Sequence, residues 1–277
     1  MKIYKAEQDA GLEKVITSSA VAYCLSDVEK VDIESLSERT ANCLKSTAGI
    51  RDQDLYITKS ILVSSTWNKN DDVFDPKEIW RARMTPDEKP TNLNHDECEI
   101  VGHIVGTYAM TADGVNIPFE TPEEEVPDLF HLVNEEVIYL EWESESLMDR
   151  TIALLTDIAD GKKCVSMECR FNDFDYAVQN EDGKTWATIT RSEDTCDRSR
   201  YLRSYGGTGI YEGKPIGRLL KNITFSAKGY VDNPANPDSQ IISSGGNSST
   251  LLSNSKSCVS SDRGLTALCT METLTIS

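Results

Sequence analysis

The sequence predicts a mixed α+β chain. Its apolar runs, such as Ile61-Leu62-Val63 and Val137-Ile138-Tyr139-Leu140, are short and β-branched, the pattern of strands. Turn-forming residues separate them, and two segments, 75–83 and 146–160, carry clear helical signals.

Along the chain, residues 1–53 mix apolar and charged residues with weak helical spacing and read as an N-terminal arm or subdomain. Ser35 followed by Glu38 is the pattern of a capping box and marks one short helix there. From Asp54 the pattern changes to strands, Leu55-Tyr56-Ile57 and Ser60 to Ser64. A polar loop, Asn68-Lys69-Asn70-Asp71-Asp72, leads to a helix with Asp75 as cap and Pro76 at its first position. Residues 100–110 read as a strand bent at Gly102 or Gly106, and 134–142 as another. The clearest helix places Leu147, Thr151, Leu154 and Ile158 on one face and stops at Gly161. Residues 164–171 re-enter a strand, Asn180-Glu181-Asp182-Gly183 marks a hairpin turn, and Trp186 to Thr190 returns. Gly206-Gly207-Thr208-Gly209 reads as a flexible loop, and 216–231 supplies the last strands. Beyond residue 242 the composition shifts: ten of the last 35 residues are Ser. Such a stretch buries too little apolar surface to offset its ordering entropy, so 243–277 reads as a disordered tail or linker.

The 277 residues carry 28 Lys and Arg against 46 Asp and Glu, a formal charge of −18. That balance argues against nucleic-acid binding, which draws on cations that release phosphate counterions, and against an anionic membrane surface. No apolar stretch approaches the roughly 20 residues of a membrane span, and acidic residues interrupt the N-terminus before any secretory core can form. Eight scattered cysteines form no C-x-x-C pair and read as reduced thiols of a cytoplasm.

Only His95, His103 and His131 could act as a neutral-pH base. His95 sits in the polar connection Asn92-Leu93-Asn94-His95-Asp96. His103 lies inside an apolar strand, the place of a packed histidine, and His131 reads as structural or solvated. His95, Asp96, Cys98 and His103 are all possible metal ligands, but their spacing matches no zinc signature; neither metal nor cofactor is expected. Ser166 lies in a buried-looking strand, where a hydroxyl needs a partner: a backbone carbonyl, or a histidine that takes its proton.

The order of these motifs resembles the tailed-phage prohead proteases, the capsid maturation proteases. Asn94-His95-Asp96 runs into Ile100-Val101-Gly102, Val165-Ser166-Met167 follows a helix, and Val231-Asp232-Asn233-Pro234-Ala235-Asn236-Pro237 closes the domain. The segment Asn68 to Asp75 resembles the family's Asn-rich loop. The likeness spans roughly residues 54–242. It implies a compact β-barrel with peripheral helices, shared with herpesvirus assemblins, and a Ser/His endopeptidase with Ser166 as nucleophile and His95 as base. Implied substrates and partners are the phage scaffold or core proteins, the major capsid protein, the portal and other copies of the chain itself, met inside the assembling prohead in the host cytoplasm. The third member departs from the family: the stretch before the Pro-Ala-Asn turn, Phe225-Ser226-Ala227-Lys228-Gly229, has no carboxylate. Glu168, two residues from Ser166, faces the same side of a strand and could orient His95 or pair with Arg170. Asp96, Asp173, Asp175, Asp232 and a dyad without an acid stay open. Residues 203–207 could supply oxyanion donors or be an ordinary loop. Two rivals remain: a non-catalytic scaffold or core component on the same fold, and a metal-dependent hydrolase using His95 and His103.

Overall fold

The computed structural model describes residues 1–18, 21–26, 28–30, 54–232 and 242–243. Two short helices, α1 (Lys5–Asp9) and α2 (Glu13–Ser18), precede β1 (Val21–Ser26) and β2 (Val28–Lys30). There follow β3 (Leu55–Ser64), β4 (Asp72–Val73), α3 (Pro76–Ala82), β5 (Pro90–Leu93), β6 (Asp96–Thr111), β7 (Asn116–Ile117) and β8 (Phe130–Tyr139). The long helix α4 (Glu145–Ala159) leads to β9 (Cys164–Arg170), β10 (Asp173–Gln179) and β11 (Trp186–Ile189). Last come β12 (Ile210–Tyr211), β13 (Lys214–Lys221), β14 (Thr224–Val231) and β15 (Ile242–Ser243).

The larger sheet runs β1-β9-β14-β5-β6-β8-β3-β2-β15, with β7 on β6. At one edge β1 pairs with β9, and towards the other β2 pairs with β3 and β15 with β2. The sheet curls, bringing β1 and β9 close to β3. Within the N-terminal stretch, Val21–Ser26 and Val28–Lys30 are strands of this sheet. The expected helix at Ser35 lies outside the described residues, as does the Ser-rich tail beyond Ser243. A second sheet, β11-β10-β13-β12 with β4 on β13, packs beside the first.

Between the sheets lies one core. Leu62, Phe130, Met167, Cys169 and Phe225 from the first sheet meet Phe174, Tyr176, Ile216 and Leu220 from the second, with Ile79 and Trp80 of α3. The start of α3 follows its sequence: Asp75 Oδ1 accepts from Lys77 N at 2.9 Å, and Pro76 fills the first position, where no donor is needed. In α4, Thr151, Leu154, Leu155 and Ile158 are the buried face. The three apolar ones pack on Tyr56, Val101, Ile138, Val165 and Tyr230, each worth about 1.5–3 kcal/mol if fully removed from water. The register of β6 against β8 is irregular between Ile104 and Gly106. Gly102 lets two backbones touch, since a Cβ there would lie 1.8 Å from the Val137 carbonyl oxygen.

Behind β14 a polar network is sealed from solvent. The Lys228 ammonium meets the Glu136 carboxylate and the Ser60 hydroxyl. Glu136 also accepts from Tyr230 at 3.0 Å and from Thr58 at 2.5 Å. Burial pushes the Lys228 amine below its ordinary value, against the pull of Glu136. The N-terminus is pinned by a second network, in which buried Glu7 of α1 accepts from Arg191 at 2.7 and 3.0 Å and from Ser199 at 2.6 Å.

Candidate active site

Strand register assembles the site. On β9, Ser166 and Glu168 are two residues apart and share a face. On β14, Gly229 is the register partner of Ser166, and on its other side it pairs with Asn92 of β5. Ser166, Gly229 and Asn92 thus form one row across three strands, with Glu168 one step along.

His95 reaches this row from the two-residue turn between β5 and β6. Asn94 and His95 have φ of 52° and 62°, successive left-handed residues as in a type I′ hairpin turn. Asn tolerates that conformation; His adopts it rarely, at a cost of order 1 kcal/mol. The turn is tied to β14 by a 2.8 Å bond from Asn94 N to Tyr230 O. The His95 ring then lies over Gly229, where a Cβ would sit 2.9 Å from Nδ1 and 3.0 Å from Cε1. The glycine leaves room for the imidazole in this position.

His95 Nδ1 and Glu168 Oε1 are 2.8 Å apart, and Asn92 Nδ2 donates to the same oxygen at 2.9 Å. Burial works to raise the Glu168 carboxyl, but the hydrogen bonds from His95 and Asn92, with the charges of His95 and Arg170, outweigh it and hold the group below its ordinary value. An ionised carboxylate on Nδ1 fixes the proton there, which makes Nε2 the basic nitrogen of the neutral ring. Ser166 is 2% exposed, and its hydroxyl takes no hydrogen-bond partner among the described residues, His95 included.

The other candidate acids are engaged elsewhere. Asp96 accepts from Cys98 N at 2.8 Å, Asp173 and Asp175 bind Arg191 and Lys221, and Asp232 pairs with Lys163. His103 Nδ1 is 2.8 Å from the Tyr139 hydroxyl and His131 Nδ1 is 2.7 Å from Ser64 Oγ. Burial holds both rings below their ordinary value. Among the described residues no three metal-ligating side chains converge, and His95 and His103 are bound to different partners.

Residues 203–207, read either as oxyanion donors or as an ordinary loop, lie in and just after the second of two successive 3₁₀ turns, Cys196–Tyr201 and Arg203–Tyr205. Tyr205 N, Gly206 N and Gly207 N donate to Leu202 O, Arg203 O and Leu202 O at 2.9–3.0 Å, so these amides are already used. Arg203 is held by Asp71, beside the second sheet. Sequence reasoning also missed Asn92 and Gly229, although the glycine inside a strand was a signal of close approach.

The chain matches no family model, no curated protein and no solved structure. No helix among the described residues is long and apolar enough to cross a membrane.

Proposed function

We propose that this chain is a serine endopeptidase that cleaves scaffold, core and capsid proteins, and itself, as a phage prohead matures. The observation that carries the reading is the Glu168–His95 pair, set over Gly229, the register partner of Ser166. The order of its motifs resembles that of the capsid maturation proteases, and a curled sheet in which β1 lies close to β3 is consistent with a compact barrel of that kind. Glu168 orients the imidazole and stabilises its cation; His95 Nε2 takes the Ser166 proton as the hydroxyl attacks a peptide carbonyl. His95 then returns the proton to the leaving amine, and water releases the acyl-enzyme. Hydroxyl and ring close on one another with substrate bound, since such contacts tighten in the productive complex.

The low exposure of Ser166 favours a second reading, a non-catalytic head component on the same fold. One experiment separates them. The full chain is treated with a fluorophosphonate probe and, separately, with a scaffold substrate, alongside Ser166→Ala and His95→Ala. The protease reading expects wild type to be labelled on Ser166 and both variants to lose roughly 10⁴–10⁶-fold in rate while staying folded. An unlabelled wild type, or unchanged cleavage by either variant, overturns it.

A further inference from the structure

Glu168 Oε1 receives two donors, His95 Nδ1 and Asn92 Nδ2. We infer that Asn92 is a positioning residue, whose side-chain amide holds the Glu168 carboxylate in the orientation that accepts from His95. The inference rests on the protease reading of this site and deepens it.

Glu168 has an alternative partner. Arg170 lies two residues along β9, its charge already acts on the carboxylate, and it is exposed. A carboxylate on a strand can swing between a cation at the rim and the histidine beneath. The Asn92 donor, 1% exposed and placed by register beside Gly229, favours the histidine. Being neutral, the amide does this without cancelling the charge that must stabilise the imidazolium; a Lys or Arg in its place would. The amide is also retained at a cost, since Asn92 Oδ1 is buried with no hydrogen-bond partner. An unsatisfied buried acceptor is destabilising, so packing alone would favour an apolar residue. What an apolar residue lacks is the donor.

The full chain, Asn92→Ala and the isosteric Asn92→Asp are compared for Ser166 labelling by fluorophosphonate across pH. The His95 Nδ1–H proton resonance, identified by its loss in His95→Gln, is followed by NMR. Asn92→Ala is expected to slow labelling about 10- to 100-fold, the scale of a hydrogen bond to a charged group, and to shift or broaden the Nδ1–H signal. Asn92→Asp should show a similar loss at neutral pH. Relative to wild type it should recover as pH falls, because the substituted carboxyl takes up a proton beside Glu168 and donates again; Asn92→Ala should not recover. Wild-type labelling and an unchanged Nδ1–H signal in folded Asn92→Ala would overturn the inference, as would an Asn92→Asp variant with no recovery. If Asn92→Ala does not fold, Asn92→Asp carries the test alone. A wild type that resists the probe sinks the protease reading, and the NMR signal then still decides whether Asn92 holds the pair. A reactive wild type with indifferent Asn92 variants sinks this inference alone.

Discussion

Replacing Gly229 by alanine should separate reactivity from stability. The added Cβ would meet His95 Nδ1 at 2.9 Å, His95 Cε1 at 3.0 Å and Asn92 Oδ1 at 3.0 Å. Ordinary contacts sit near 3.5 Å, so the ring must retreat by about half an ångström. The 2.8 Å His95–Glu168 bond then leaves the short charge-assisted range. Losing such a bond costs about 1.5–3 kcal/mol, a drop of roughly 10- to 100-fold in rate at about 1.4 kcal/mol per decade. Stability should change little. Gly229 is not in the left-handed region, and alanine gains about 0.5–1 kcal/mol over glycine inside a strand, which offsets the crowding. The assay is fluorophosphonate labelling beside thermal unfolding, on wild type, Gly229→Ala, His95→Ala and the double variant. With the ring gone, two of the three nearest contacts of the methyl are removed, so Gly229→Ala should stabilise the His95→Ala background, a non-additivity that marks direct contact. Gly229→Ala labelled at the wild-type rate would refute the packing of His95 on this glycine.

Acid should destabilise the fold in two steps. His103 and His131 have folded pKa values below the ordinary 6.5, so the unfolded chain binds more protons in between. Their contribution is therefore full above about pH 6.5 and lost as pH falls below it. Glu168, depressed below the ordinary 4.5, adds a further loss in the carboxylate range. Urea midpoints between pH 7.5 and 3.5 check both, and a flat profile would contradict them. Lys228→Met leaves Glu136 buried without its cation and should cost about 3–5 kcal/mol by denaturant unfolding. Adding Glu136→Gln should restore part of that loss; no recovery would mean that the charge pair is not what the interior needs.

The local parts of the structure were legible. Asp75-Pro76 announced a helix start, the spacing from Leu147 to Ile158 announced the buried face of α4, and the two-residue step from Ser166 to Glu168 placed both on one side of a strand. Glu168 could be tied to His95 only by structure, because the choice among five carboxylates depends on which cation or amide each one finds across the fold. Asn92 and Gly229 were invisible for the same reason: their roles come from the β5-β14-β9 register, which joins residues about 60 to 140 positions apart in sequence. The glycines near residue 206 misled, since the same composition that suits a loose loop also suits tight turns that consume their own amides. Residues 21–25, Val-Ala-Tyr-Cys-Leu, form a strand-sized apolar run, but its pairing with β9, about 145 residues later, is a non-local contact that no local pattern announces.

Strand β14 lies between β9 and β5 in space, yet it is made after both. A ribosome therefore completes Asn92, His95, Ser166 and Glu168 well before it delivers the platform on which they meet. Non-local pairing of this kind is slow to form because loop closure must precede it. Until residue 231 has emerged, the nascent chain carries every reactive side chain and no assembled centre. The last strand of this row to be made is thus the one on which its assembly depends.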